Sequence, residues 1–261
     1  MDYVDYGAWI TVDCGGLRWD YLADSANIPD RTTSWAFENR IGGAGAKALF
    51  AGVERQLFKQ GYIARGGQII DAPLVPAPKQ HFTKEDKEQI KQDAMPADWS
   101  PAKRRQKDLD TTWTKKHGKS HHGYKFSINV DNRYKVIRKI ETDTASTYDS
   151  HHFDAALDAG NTNWDVFADK GYPSAKREAK LKAAGYRKHI QRKGQRNQPL
   201  PDCQERRNRR IAKTRAHVEH VYGGIAQMGG KLVRIVGQAR ANFAMTMMAT
   251  CYHLKRLVYL K

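Results

Sequence analysis

The chain has 261 residues, 40% of them hydrophobic, which suits one principal core with at most a small accessory unit. A net charge of +17 exceeds what solubility requires and points to a polyanionic partner. Three scattered cysteines argue against a disulfide framework, and the start lacks a secretory signal pattern. The longest apolar helical stretch, 243–260, is interrupted by His253, Lys255 and Arg256, so no membrane span is expected. A reducing cytoplasm is the expected location.

Residues 1–27 show no clear period. From Pro29 the pattern sharpens. Asp30, Thr32 and Thr33 can cap a helix through Trp35, Phe37 and Ile41, which Gly42-Gly43 stops. A second helix is expected over about Ala44–Gln60, closed by Gly61. This pair would either contact DNA and dimerise or simply cover the core. Strand 1 follows Gly66-Gly67 and ends at Asp71. Residues 79–120 are highly charged and read as an inserted, mobile segment with one short helix near Thr83–Gln92. Strand 2 alternates clearly, with Tyr124, Phe126, Ile128 and Val130 on one face. A hairpin partner is expected over about Tyr134–Ile140, then a helix over Ser150–Ala159.

A fourth strand runs Asp165–Asp169, a helix follows to Ala184, and a fifth strand covers about Tyr186–Gln191. Asp202 and Glu205 resemble a capping box that opens a helix to about Ile225. The last helix, about Ala239–Leu260, aligns Phe243, Met247, Cys251, Leu254 and Val258 as a core stripe. This order predicts an α/β fold, a mixed sheet with helices on both faces. Residues 1–65 form a helical N-terminal region and 66–261 the larger domain, with its charged insertion after strand 1.

Three carboxylates stand out. Asp71 and Asp169 each end a short apolar strand, where aspartate is disfavoured and its burial is costly. Glu219 falls at the border of the apolar stripe Ile211, Val218, Tyr222 and Ile225 on its helix, one turn after Arg215. Three such carboxylates suit Mg²⁺, which prefers hard oxygen ligands, and a pair of such ions promotes in-line displacement at phosphorus. Taken singly, Glu219 reads as a surface ion pair, and for Asp71 a turn-forming role and a ligand role are evenly matched. The combination in this chain order is what points to phosphoryl transfer on nucleic acid.

Between Arg187 and Arg215 lie eleven Lys or Arg against only Asp202 and Glu205. Such a segment would bind phosphates without reading sequence. The histidines offer no Cys/His spacing for structural zinc; His217 and His220 share a helix face with no further ligands nearby.

These residues together resemble a family. Pro29-Asp30-Arg31-Thr32-Thr33-Ser34-Trp35-Ala36-Phe37, Ile69-Ile70-Asp71-Ala72 and His122-Gly123-Tyr124-Lys125 are similar to stretches of DDE-class insertion-sequence transposases, most of all the group named after insertion sequence 5. So are Thr144-Ala145 with Asp149-Ser150, Ala168-Asp169-Lys170-Gly171-Tyr172, and Arg215 with Val218-Glu219-His220. The resemblance implies an RNase H-like core in which Asp71, Asp169 and Glu219 bind Mg²⁺, or Mn²⁺ in its place. It implies cutting at transposon ends and attack of the freed 3′-hydroxyl on target DNA, by a homodimer at the nucleoid. Lys170, Arg206, Arg207, Arg209, Arg210, Lys213 and Arg215 are the expected DNA contacts.

The chain departs from the family's tyrosine-arginine-glutamate-lysine signature at two places, with Ala212 and Ala226 where tyrosine and lysine belong. It also has only 70 residues before Asp71, shorter than family members usually have. A truncated N-terminal region and weak preference for end sequences are therefore expected. A non-catalytic DNA-binding remnant and an RNase H-like nuclease acting on other nucleic acids are the alternative readings.

Overall fold

The computed structural model describes residues 9–14, 17–22, 30–92, 95–96, 98–116, 118–195 and 197–260; the side chains of the first two stretches and of Lys91 lie outside that description. Most of the stretch read as lacking period falls in or beside the undescribed residues. Within it, β1 (Trp9–Cys14) and β2 (Leu17–Leu22) form an antiparallel pair that the sequence reading had not anticipated.

α1 (Arg31–Lys59) opens on Asp30, whose carboxylate accepts the Thr33 N–H at 2.6 Å. The expected stop at Gly42 appears as a break, with Gly42 at φ 53°, a conformation that glycine adopts without steric cost. Past the break, Ala46 joins the main core. Glu54 accepts from Arg138 Nη1 at 2.5 Å, while Arg138 Nε reaches Asp158 at 2.9 Å. One arginine thereby ties this helix to the sheet and to the loop that carries Asp158.

The sheet has seven strands: β3 (Gln68–Asp71), β4 (Leu74–Pro76), β5 (Thr112–Lys116), β6 (Lys119–Asp131), β7 (Ile137–Thr144), β8 (Asp165–Ala168) and β9 (Arg187–Ile190). Across its centre the order is β7-β6-β3-β8-β9. β3, β8 and β9 run parallel, and β6 runs antiparallel to both of its neighbours. That mixed order, flanked by helices, is RNase H-like. β4 continues β3 along β6 in unbroken register: Asp71 opposes Ile128, and Leu74 opposes Lys125.

Alternation then sorts the two faces. Ile69 packs into a core with α6 (Asp202–Gln227), α7 (Gln238–Leu260) and α1, while Ile70 packs with Phe153, Tyr172 and Leu181 on the other side. The second face is covered by α4 (Phe153–Ala156) and α5 (Ala175–Ala183).

Several boundaries move. The charged insertion is more organised than its composition suggests. It holds α2 (Lys84–Lys91), capped by the reciprocal Thr83–Asp86 box, α3 (Pro101–Gln106), and β5 as a hairpin with β6. Trp99 Nε1 donates to Asp86 at 2.7 Å, and the Tyr124 hydroxyl donates to Asp108 at 2.6 Å. β7 begins later than expected, because Lys135 takes a left-handed φ of 56° and the turn extends to Val136. The helix expected over 150–159 is a 3-10 turn, Asp149–His152, followed by the single turn of α4.

Asp202 is not a cap: Pro201 holds that position, with no side-chain hydrogen bond. In α7 the stripe is only half right. Residues 241–250 are almost all buried whatever their direction, whereas Leu254 is 44% and Val258 76% exposed. No helix among the described residues is long and apolar enough to cross a membrane.

His253 in α7 is fully buried, accepts the Ile137 N–H at 2.8 Å and stacks on Phe50. Burial, with Arg138 nearby, pushes its pKa down to about 3. A depressed histidine leaves stability intact above its unfolded value and removes it as pH falls toward the folded one. Denaturant titrations from pH 7 to pH 4 should therefore show a loss of about 1.4 kcal/mol per pH unit below pH 6.5 from this group. His253→Gln, which keeps an acceptor without a titrating ring, should flatten that slope.

Candidate active site

The site follows from the register of two short strands. Gln68 pairs with Val166 and Ile69 with Phe167 in parallel β3–β8. Carried two residues further, the same register sets Asp71 beside Asp169. Asp71 shares the orientation of Ile69, and Asp169 that of Phe167, so both belong to the sheet face that packs on α6. That helix buries Ile211, Val218, Val221 and Ile225 against the sheet and brings Arg215 and Glu219 to its border.

Arg215 connects the strand ends. Its Nη2 lies 3.2 Å from Asp71 Oδ1, and its Nη1 donates to Gln191 Oε1 at 3.2 Å. Gln191 follows β9, and its N–H donates to the Ala168 carbonyl at 3.1 Å. The guanidinium thus bridges from the end of β3 to the residue after β9, across the end of β8, which Asp169 follows.

Burial pushes the Asp71 carboxyl up to about 6, with Asp169 and Glu219 adding to the rise and Arg215 opposing it. A rise of about two units means that ionising Asp71 costs the fold roughly 3 kcal/mol between pH 4 and 6. Arg215 offsets part of the burial cost and leaves an excess of negative charge.

Asp169 is half-buried and Glu219 exposed. Asp169 Oδ1 accepts the Gly171 N–H at 2.7 Å. A fourth carboxylate stands close by. A Cβ added at Gly171 would lie 3.0 Å from Asp169 Oδ1 and 4.0 Å from Asp149 Oδ2. Asp149 is held by Lys125 at 2.6 Å, and the Lys125 ammonium, only 8% exposed, also donates to the Thr147 carbonyl. The hydroxyls of Tyr172 and Tyr222 are buried without a partner among the described residues, as is Arg215 Nε. Burial and the surrounding carboxylates raise both tyrosine pKa values.

Lys125, Asp149, Tyr172 and Gln191 were thus missed as site residues. The first three lie in stretches that carry the family resemblance, but nothing local assigns them a role. Gln191 gives no sequence signal, because its part depends on a pairing 24 residues away.

The three carboxylates are hard oxygen donors, and the excess charge at Asp71 is what a divalent cation would relieve, so the donor chemistry, though not the spacing of the side chains, suits Mg²⁺. Among the described residues, no three His, Cys, Asp or Glu side chains stand closely enough together to share an ion. Arg215 instead occupies Asp71.

The expected DNA contacts divide. Arg207 donates to the Ile190 carbonyl at 2.9 Å and to the Lys188 carbonyl at 3.3 Å, so it serves the fold, as Arg215 serves the site. Arg187 pairs with Asp165, and Lys188 and Arg192 pair with Glu178, which draws them into the sheet edge. Arg196 lies outside the described residues. Lys170, Arg206, Arg209, Arg210 and Lys213 are exposed. The last four recur at helical spacing as one stripe, turned about 150° around α6 from Arg215 and Glu219 at 100° a residue. Arg209 shares its charge with Glu205 at 3.6 Å.

The comparisons with known proteins agree with this geometry. The Transposase DDE domain family matches residues 64–254, which contain all three carboxylates and every strand of the sheet. The chain is 36% identical over 117 residues to a transposase for insertion sequence element IS1106 of Neisseria meningitidis serogroup B, covering 45% of this chain and 40% of that protein. The chain therefore spans less than half the length of that relative. No solved structure matches. Because the family covers most of the chain, the chain belongs to the Transposase DDE domain family.

Proposed function

We propose that this protein is a DNA transposase that cuts DNA strands at the ends of a mobile element and joins the freed 3′-hydroxyl to target DNA. The observation that carries this is the β3–β8 register, which aligns Asp71 with Asp169 beneath the helix bearing Arg215 and Glu219. Family membership supplies the substrate class.

In this reading Asp71, Asp169 and Glu219 hold Mg²⁺, with Mn²⁺ able to replace it. The bound ions would activate the attacking oxygen and neutralise charge on the leaving one. The chain's own groups prepare the site. Arg215 keeps Asp71 ionised and oriented until the ions compete for it, and can then turn its guanidinium to a phosphate oxygen. The Gly171 N–H fixes Asp169, and Lys125 fixes Asp149 beside it. The Tyr172 and Tyr222 hydroxyls are free to donate to a phosphate oxygen or an ordered water. Water that enters as the nucleophile would give cleavage; a DNA 3′-hydroxyl in the same position would give joining. The protein would act as a homodimer.

A second reading, a DNA-binding protein without catalysis, is favoured by Ala212 and Ala226 at the family's tyrosine and lysine positions. Incubation with Mg²⁺ and DNA carrying the element's ends separates the two. The proposal expects nicked and joined products, and it expects Asp71→Asn or Asp169→Asn to abolish both while DNA binding persists. Binding without cleavage by the unaltered chain would establish the second reading, and cleavage that never yields joined DNA would indicate a nuclease.

The α6 stripe supplies a further expectation. Replacing Arg206, Arg209, Arg210 and Lys213 by glutamine should lower the slope of log affinity against log salt by about 3 to 4, at roughly 0.9 per phosphate contact. An unchanged slope would show that this stripe faces solvent when DNA is bound.

A further inference from the structure

A cavity of about 420 Å³ lies between the start of α1, the end of α3, the loop before α7 and the first turns of α7. Its volume falls within the range of about 300–1,000 Å³ typical of ligand sites. Four arginines line it: Arg31, Arg105, Arg234 and Arg240. Glu38 is the one acid in the lining, and burial raises its carboxyl pKa while Arg240 lowers it. Arginines that serve the fold or the carboxylate site, such as Arg138, Arg187, Arg192 and Arg215, sit in ion pairs. Among the described residues these four have none. Trp35 forms one wall, 58% exposed. An exposed indole beside four guanidinium groups suits a base stacked on the ring and phosphates held by the arginines.

Its position relates it to the carboxylates. β4 carries the chain on from Asp71 to Pro76 along β6, about 17 Å at 3.3 Å a residue. The Val233 N–H donates to the Pro76 carbonyl at 3.1 Å, and the next residue is Arg234. Phe243 of the lining packs on the same sheet face as Asp71. A DNA strand leaving the carboxylate site toward this end would pass Pro76 after about five steps of 3.4 Å, beside the segment that carries Arg234.

We propose that this cavity binds a nucleotide of the DNA strand a few steps from the cleaved phosphate, with the base on Trp35 and the backbone on Arg31, Arg105, Arg234 and Arg240. The proposal rests on the transposase reading for its substrate, but its test does not need catalysis. Oligonucleotides carrying 5-iododeoxyuridine at successive positions are photocrosslinked to the full chain in EDTA, and the attached peptide is identified by mass spectrometry. Binding is measured in parallel.

The expected crosslink is to Trp35. Trp35→Ala should remove it and weaken single-strand binding by about tenfold, the scale of one stacked base. Trp35→Phe should retain most of the affinity, and glutamine replacements in the α6 stripe should weaken binding without moving the crosslink. Crosslinks confined to other peptides, together with wild-type affinity in Trp35→Ala, would overturn the proposal. So would a mononucleotide that binds as tightly as the oligonucleotide, because the ligand would then not be a DNA strand. A catalytically silent chain that still crosslinks at Trp35 would count against the transposase reaction and not against this site.

Discussion

The ion pair between Arg215 and Asp71 is the contact on which the site depends. Asp71 is placed by strand pairing where water is largely excluded, and two more carboxylates press on it. Without compensation the residue would hold its proton near neutral pH. Arg215 supplies part of that compensation from a helix whose position is fixed by Val218, Val221 and Ile225, so core packing sets the electrostatics of the site. The same guanidinium reaches Gln191, which makes the spacing of β3, β8 and β9 part of the arrangement. The burial of Asp71 beside two further acids leaves its charge only partly balanced by Arg215.

β3 and β8 were legible because each is a short, largely apolar run ended by a charged or turn-forming residue, as at Asp71-Ala72-Pro73 and Asp169-Lys170-Gly171. Glycine at 42 and the cap at Asp30 were equally local signals, and both appear where expected. Failures came where distant contacts decide. The 79–120 segment looks mobile by composition, yet Trp99 on Asp86 and Tyr124 on Asp108 anchor it. Periodicity misled in α7 because residues 241–250 are enclosed on nearly every side, and a helix buried all round has no informative stripe.

The candidate site was legible to the same degree. The three acids could be named from their positions on elements, but not the partners that tune them. Gln191, Lys125 and Asp149 become visible only when strands that are far apart in sequence meet. The basic run from 187 to 215 shows the opposite error. Charge density suggested one long phosphate-binding surface, whereas nearly half of those residues are spent on Asp165, Glu178, two carbonyls and Asp71. Among the described residues of that run, exposed Lys193 and a four-residue stripe on α6 remain, and the stripe is turned away from the carboxylates.

The central proposal is that Asp71, Asp169 and Glu219 would act together as a divalent-cation site. Titrating the protein with Mn²⁺ by calorimetry at pH 7.5, alongside Asp71→Asn, Asp169→Asn and Glu219→Gln, tests it without DNA or turnover. The account predicts binding by the unaltered chain and at least a tenfold loss in each variant, since each removes one oxygen ligand from a shared site. Equal Mn²⁺ affinity in all four proteins, with each variant folded by circular dichroism, would contradict it.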